Sequence, residues 1–399
     1  MNEHTVGRSL EPLLTSHEIV IFCGSGGVGK TTTAAAAGLE AVVRLGGRVL
    51  VLTIDPAKRL ADALGLEGIG NVERRVSDEV LRAAGIEGRG ELYAAMLDTK
   101  ASWDDLVLRH APDEETAYRI LENRMYATVT GRFVQSHDYI AMERLFELHS
   151  SGKYDLIIVD TPPTRNAIDF LEAPARMAEF FGGRLLRWLT MPYRVGGRRG
   201  ARLVNFASRP FYQLADRVLG QQFLQDIAEF FLNFQSMYDG FVERAKSVEQ
   251  LLHERRTSFV VVTTLEDAPL REATFFCDAL SERRFHLGAL VLNRMLPDSL
   301  GNEANRDAAA KILDEADSIA SDLADTGSPE FTDSSRTARV LRAAAQTFRD
   351  YSVVAARESE LRRELDHMPD IVATVPALED DVHDLAGLRR IGTELFSNS

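Results

Sequence analysis

The sequence contains little cysteine, and it has too few basic residues to offset its acidic ones. Its two cysteines, Cys23 and Cys277, are too few for a disulfide framework, a four-cysteine zinc site or a metalloid site of three thiolates. We expect both to be small buried hydrophobic residues. The formal net charge of -14 argues against a surface that binds nucleic acid, so we predict no nucleic-acid partner.

Targeting and membrane-spanning segments are also missing. Residues 1–16 are polar and mixed in charge, which is not the pattern of a signal peptide. No uninterrupted apolar run is long enough to cross a bilayer. We therefore expect a soluble, cytoplasmic protein. A chain of 399 residues is long enough for one large α/β domain, residues 1–399, that also carries a subdomain.

A glycine-rich stretch, residues 24–32, fits the phosphate-loop pattern G-x-x-x-x-G-K-[ST]. An apolar run (18–23) predicts a strand before it, and an alanine-rich run (33–40) predicts a helix after it, which is the context that this motif needs. The alternative, a glycine-rich turn without special chemistry, explains neither the Lys-Thr pair nor the strand in front. The predicted phosphate-binding residues are Gly26, Gly27, Val28, Gly29, Lys30, Thr31 and Thr32.

These residue types suit a bound polyphosphate. Glycines let successive backbone N–H groups point at phosphate oxygens, and the helix N-terminus adds partial positive charge. Lys30 would reach the outer phosphates, and the Thr31 hydroxyl would ligate Mg²⁺.

Five further apolar runs predict strands, at 48–54, 155–159, 258–262, 286–292 and 370–375. They are continuous rather than alternating, which indicates strands covered on both faces and hence a parallel sheet. Ligands of such sheets bind beyond the carboxyl ends of the strands. Asp55, Asp160, Asn293 and Pro376 follow four of these runs, so we expect them to meet at that edge.

Two of these residues are candidates for chemistry on a phosphate. Asp160 follows its strand as a Walker B aspartate does and would hold Mg²⁺ through water. Alternatively, it caps a helix or forms a turn before proline. Asp55 could orient the water that attacks the terminal phosphate, or it could cap a helix that starts near Lys58.

Long stretches between the strands favour helices. Residues 72–152 and 173–254 together predict a helical subdomain inserted into the core. The apolar residues of the second stretch form either ordinary helix–helix contacts or a binding groove. Residues 298–335 predict a mobile acidic insert, and residues 337–365 a long helix. The predicted fold is therefore α/β, with a mostly parallel central sheet, the phosphate loop, helices on both faces and an inserted helical subdomain.

The motifs together resemble those of ArsA-type ATPases, part of the MinD-like class with a deviant Walker A loop. This family includes arsenite-pump ATPases and the factor that targets tail-anchored membrane proteins. The likeness rests on residues 24–32, on Asp55-Pro56-Ala57 with residues 60–64, and on Asp160-Thr161-x-Pro163-Thr164. It implies that Asp55 lies in switch I, that Asp160 lies in switch II, and that family members act as dimers or fused halves with nucleotide at the shared face.

The resemblance also implies a site for the base. Asn293 would hydrogen-bond adenine, and residues 375–387, which include Pro376, resemble the adenine loop of the family.

Three departures from the family pattern matter. Ser25 stands where the family usually has the lysine that reaches across the dimer to the partner's phosphates. Lys58, Arg59 or Arg165 could substitute, or a lysine-bearing related subunit could supply the charge in a heterodimer. The Cys-x-x-Cys zinc clasp of the targeting factor and the clustered cysteines of the arsenite pumps are both missing, so we expect neither a zinc-bridged dimer nor arsenite as effector.

The predicted function is a nucleotide switch that binds ATP with Mg²⁺ and hydrolyses it to ADP and phosphate. Lys30, Asp55 and Asp160 are the predicted catalytic residues, and Thr31, Asp55 and Asp160 the predicted metal site. The chain would act as a homodimer or as a heterodimer with a related ATPase subunit, and would move its helical subdomain.

Three alternatives stay open. The chain could be a regulatory subunit that binds nucleotide but hydrolyses it weakly, as Ser25 suggests. It could carry hydrophobic protein segments in a groove formed by the aromatic stretch 180–241. It could bind a membrane through the apolar stripe of its tail, although packing of that stripe against the sheet fits its low content of Lys and Arg better. The stripe comprises Leu385, Leu388, Ile391, Leu395 and Phe396.

Overall fold

An eight-stranded sheet forms the centre of the computed structural model. The structure describes residues 9–54, 59–66, 70–132, 134–162, 171–173, 175–176, 179, 230, 232–234, 237–326, 328–363, 369–378 and 380–397. The strands are β1 (Ile19–Cys23), β2 (Gly47–Thr53), β3 (Arg74–Arg75), β4 (Gly90–Met96), β5 (Leu156–Asp160), β6 (Thr257–Thr263), β7 (Leu287–Met295) and β8 (Ile371–Pro376). They lie in the order β3-β4-β2-β5-β1-β6-β7-β8.

Every pairing in this sheet is parallel except that of β3 with β4. All six strands predicted from apolar runs are present, which confirms the mostly parallel sheet. The prediction of helix throughout 72–152 is wrong at β3 and β4, and apart from one short helix over Asp78–Ala83 the helices of this stretch lie from Thr99 onward. β4 was missed because its sequence mixes Glu91 and Tyr93 with short apolar residues, as suits a strand only partly buried near the sheet edge.

Helices cover both faces of the sheet. Those within the described residues are α1 (Glu11–Ser16), α2 (Lys30–Arg44), α3 (Arg59–Ala63), α4 (Asp78–Ala83), α5 (Thr99–His110), α6 (Glu114–Glu122), α7 (Arg124–Arg132), α8 (Val134–Ser150), α9 (Tyr238–His253), α10 (Asp267–Glu282), α11 (Glu303–Asp325), α12 (Ser334–Arg363) and α13 (Leu385–Leu395). Successive residues of β1 enter two different cores, with Ile19 and Ile21 in one and Val20 and Phe22 in the other. α5, α8, α9 and α10 build the first core, and α1, α2 and α13 the second. The prediction of helices on both faces is therefore confirmed.

The described part of the aromatic stretch belongs to the first core. Phe230, Phe234, Met237 and Phe241 are all buried there. The Phe241 ring stacks on that of Tyr139 in α8 with the centroids 4.3 Å apart. These residues therefore form ordinary helix–helix contacts. The rest of the stretch 180–241 lies outside the described residues, apart from short pieces between 230 and 241.

The region after β7 is helical. α11 lies within the predicted acidic insert, and α12 confirms the long helix expected over 337–365. Ala316 and Ala320 of α11 are buried against Ala338 of α12, so the two helices pack as a pair. The mobility of residues 298–335 stays a prediction.

Among the helices that the structure describes, none combines the length and apolar character needed to cross a membrane.

The apolar stripe of the tail lies inside the molecule. Its five residues on and after α13 are buried, and α13 packs against α2 and β8. This confirms packing as the role of the stripe.

Beneath α13, the fully buried side chain of Glu40 in α2 forms ion pairs with Arg44 at 2.6 Å and with Arg389 at 3.0 Å.

We expect Arg389→Gln to lower the free energy of unfolding by about 1.5–3 kcal/mol, because it removes a charged donor from a buried carboxylate. Chemical denaturation monitored by circular dichroism measures this loss. Arg390→Gln is the matched control, since Arg390 is its exposed neighbour on the same helix. Equal stability of the two variants would contradict a stabilising role for the Glu40–Arg389 pair.

Candidate functional site

The glycine-rich loop joins the end of β1 to the start of α2. Gly27 and Gly29 have φ angles of +82° and +91°, in the left-handed region that favours glycine. A Cβ atom on Gly29 would lie 2.3 Å from Nδ2 of Asn293, whereas one on Gly27 would meet no atom within 4 Å. The loop thus opens to solvent at Gly27 and closes against β7 at Gly29.

Lys30 is the first residue of α2 and is buried, with 7 % exposure. Its Nζ donates a hydrogen bond to the backbone oxygen of Ser25 at 2.9 Å, so the side chain folds back over its own loop. A positive charge is thereby held beside the N-terminus of a helix, and both attract an anion. The Ser25 hydroxyl is also buried and has no hydrogen-bond partner among the described residues.

Asp160 ends β5 and is fully buried. Its Oδ2 accepts hydrogen bonds from Oγ1 of Thr31 at 2.7 Å and from Oγ1 of Thr53 at 2.9 Å. Thr161 continues this segment and donates from Oγ1 to the backbone oxygen of Phe22 at 2.8 Å. The carboxylate is therefore held between the glycine-rich loop and the ends of two neighbouring strands. A hydroxyl beside a carboxylate is the hard oxygen donor set that suits Mg²⁺.

Asn293 approaches the loop from the opposite side. Its Nδ2 donates to the backbone oxygen of Val28 at 2.7 Å, and its Oδ1 accepts from the backbone N–H of Arg294 at 3.0 Å. Arg294 has a φ of +60°, which is uncommon for a residue other than glycine and concentrates at functional sites.

A cavity of about 520 Å³ lies between the loop and the tail, within the size range of ligand pockets. Gly27, Gly29, Thr31 and Thr32 line one side of it. The other side is lined by Asn293 and Arg294, by residues 375–378 that include Pro376, and by residues 380–383. Lys30, Val28 and Asp160 are buried and do not line the cavity, and Gly26 is exposed at the loop surface.

The structure brings Asp160, Asn293 and Pro376 to one edge of the sheet with the loop, as expected from the strand ends. Asp55 lies outside the described residues, as do Lys58, Arg165 and the side chain of Arg59. Thr53, which holds Asp160, was not predicted from the sequence, although it is the last residue of the strand β2 and the predicted run 48–54 ends beside it.

The two thiols take no part in this site. Cys23 is buried, and burial raises the pKa of its thiol to about 12. Cys277 is partly buried against the first core, and burial raises its pKa to about 12 as well. Both thiols are protonated near neutral pH and therefore unreactive. The expectation of a buried hydrophobic role is confirmed for Cys23, while Cys277 retains some exposure.

Comparison with known proteins agrees with the motifs. The chain is 25 % identical over 309 residues to arsenical pump-driving ATPase 1 of Aquifex aeolicus, covering 72 % of this chain and 65 % of the relative. It is 24 % identical over 311 residues to ATPase GET3 of Eremothecium gossypii, covering 74 % and 77 %. It is 23 % identical over 312 residues to arsenical pump-driving ATPase 2 of Aquifex aeolicus, covering 76 % and 90 %. The first match thus spans less than two thirds of that relative.

The sequence profile of one family covers most of the chain, matching residues 17–346. This match confirms the resemblance to ArsA-type ATPases. The chain belongs to the anion-transporting ATPase family.

Proposed function

We propose that the chain binds ATP together with Mg²⁺ at the carboxyl edge of its sheet and hydrolyses it to ADP and phosphate. The observation that carries this proposal is the 2.7 Å hydrogen bond between Thr31 and Asp160. It joins a residue of the phosphate loop to a carboxylate at the end of a separate strand. A simple glycine turn would not require that pairing, whereas a metal–phosphate site does.

The loop would bind the phosphates. Backbone N–H groups of residues 26–32 provide donors, and Lys30 provides the positive charge for the outer phosphates. Because Lys30 now donates to the Ser25 backbone oxygen, we propose that its ammonium group turns from this oxygen to phosphate oxygens when nucleotide binds. The open space at Gly27 leaves room for this approach of a ligand to the backbone.

Thr31, Asp160 and Asp55 would hold Mg²⁺, with Asp160 acting through water. When bound, the ion neutralises charge that develops on the phosphate oxygens. The Thr31 hydroxyl suits this role because it can donate its proton to Asp160 while a lone pair of its oxygen faces the metal. Thr53 keeps the Asp160 carboxylate in place through its own hydrogen bond. We propose that Asp55 orients the attacking water.

The cavity would accept the rest of the nucleotide. Asn293 and Pro376 line it together with the loop, which supports their proposed roles at adenine. The amide of Asn293 is already fixed by the Val28 oxygen and the Arg294 N–H. Its orientation is thus set before a ligand arrives, which lowers the entropic cost of binding.

We further propose that the working unit is a dimer with nucleotide at the shared face. Ser25 cannot supply a charge to a partner, so a heterodimer with a lysine-bearing subunit is proposed beside the homodimer. Movement with the nucleotide state belongs to the same proposal, and it concerns the helices between Thr99 and Ser150 together with the segment 173–254. It is supported by chain connectivity, because α8 leads into β5, which ends at Asp160.

A binding experiment tests the proposed nucleotide site. We expect Gly29→Ala to weaken the binding of fluorescent mant-ATP about tenfold to a hundredfold, because the new Cβ atom combines backbone strain with a clash against Asn293. Gly27→Ala is the matched control, since it carries a similar φ but meets no neighbouring atom. Titration by fluorescence with Mg²⁺ measures both. Equal affinity of the two variants would contradict the proposed place of the nucleotide against Asn293.

A further inference from the structure

A second cavity lies among the helices of the first core. It has a volume of about 410 Å³ and is formed mainly by α5, α8 and α9. Leu106, Ile140 and Phe146 form an apolar wall of the cavity, and most of the charged side chains in its lining are arginines. It shares no lining residue with the cavity at the phosphate loop. Nucleotide hydrolysis therefore does not account for it.

Charged side chains are concentrated at this cavity. Three arginines, Arg109, Arg144 and Arg244, and two carboxylates, Glu143 and Glu147, line it. Glu73 lies behind the lining and pairs with Arg144, so the formal charges balance, and the attraction for an anion comes from arginine N–H groups that these pairs do not use.

The ion pairs around the cavity do not use every buried arginine N–H group. Arg244 pairs through Nε with Glu143 at 2.6 Å, and Arg144 pairs with Glu147 at 2.8 Å and with Glu73 at 2.7 Å. Arg109 also contacts Glu147. Among the described residues, Nε of Arg144 is buried without a hydrogen-bond acceptor. A buried N–H group without an acceptor costs free energy, so a ligand that supplies an acceptor there is favoured.

The neighbouring histidine reports the local effect of two of these arginines. Burial lowers the pKa of His110, and the guanidinium groups of Arg244 and Arg109 lower it further. Guanidinium groups disfavour a second cation beside them in this way. For the same reason they favour an anion at that place.

We propose that this cavity binds a small organic carboxylate with an apolar body, held through its carboxylate by Arg109, Arg144 and Arg244. A planar guanidinium matches a carboxylate with paired hydrogen bonds. The apolar wall would cover the body of the ligand, as in other pockets of this size. The proposal goes beyond ATP hydrolysis and does not depend on it.

Calorimetric titration of the nucleotide-free full chain with 4-phenylbutyrate tests the proposal. We expect saturable binding at one site per chain. Arg109→Gln should weaken it about tenfold to a hundredfold, because a charged donor is lost. Arg119→Gln is the matched control and should leave it unchanged, since Arg119 is similarly exposed but pairs with Glu115 on α6, away from the cavity.

Two further measurements separate charge from apolar contact. The neutral amide, 4-phenylbutanamide, should bind at least about tenfold more weakly, as should inorganic phosphate, which lacks an apolar body. The double variant Glu143→Gln with Arg244→Gln removes one ion pair as a unit, so no uncompensated charge stays behind, and it should also weaken binding. Absence of saturable binding, equal binding by the amide or by phosphate, or equal affinity of the Arg109→Gln and Arg119→Gln variants would overturn the proposal.

Discussion

Replacing Ser25 with lysine is expected to raise the rate of ATP hydrolysis by about a hundredfold or more, because a cation that reaches the transferring phosphate can contribute about 10³–10⁵ in rate. This expectation rests on our proposal that Ser25 stands at the position of a lysine that reaches the phosphates of a partner chain. The Ser25 hydroxyl is buried and lacks a partner within the described part of the chain, so the substitution breaks no observed side-chain hydrogen bond. Steady-state release of phosphate measures the change.

The gain should depend on a shared face between two chains. Specific activity of the Ser25→Lys variant is therefore expected to rise with protein concentration. Ser25→Met is the matched control, because methionine has nearly the length of lysine but no charge. If the lysine and methionine variants hydrolyse ATP equally fast, the lack of a positive charge at position 25 does not limit hydrolysis. The proposal that a partner supplies the missing charge would then lose its support.

Replacing Asp160 with asparagine is expected to lower kcat by about a hundredfold and to weaken the dependence on Mg²⁺. Asparagine removes the negative charge, and its amide oxygen accepts the hydrogen bonds from Thr31 and Thr53 more weakly than a carboxylate does. Phosphate release as a function of Mg²⁺ concentration measures both effects.

A control substitution next to β5 separates an effect on the proposed metal site from a general disturbance of the strand. Asp155 lies just before β5, at the other end from Asp160, and accepts a hydrogen bond from the Arg48 backbone at 2.7 Å. Asp155→Asn makes the same chemical change away from the proposed site, and we expect it to leave kcat unchanged. Similar losses in the two variants would mean that the strand, rather than a metal site, was disturbed.

Local sequence patterns predicted much of the fold for a physical reason. A strand buried on both faces must be apolar throughout, so six strands could be read directly from their runs. β4 was not readable in this way, because a half-buried strand carries residues such as Glu91 and Tyr93. The order of the strands depends on contacts between distant segments, which no single run contains.

The candidate site was predictable to a similar extent. The loop motif and the rule that ligands bind at strand ends suffice to predict Lys30, Asp160 and Asn293 from the sequence alone. The hydrogen bond of Thr53 to Asp160 and the left-handed backbone of Arg294 depend on tertiary packing. The arginine-lined cavity was hidden for the same reason. Its charges come from three separate helices, and each taken alone resembles an ordinary solvated charge.

The proposal that the phosphate loop is a site of ATP hydrolysis is tested most directly by measuring phosphate release with and without Lys30. We would measure it in the natural chain and in the Ser25→Lys variant, each beside the same chain carrying Lys30→Ala. We expect Mg²⁺-dependent hydrolysis that Lys30→Ala reduces at least about a thousandfold in the Ser25→Lys background, because the phosphate loop supplies the main charge for the transfer. Undiminished hydrolysis in the Lys30→Ala chains, or no hydrolysis by any of the four, would contradict it.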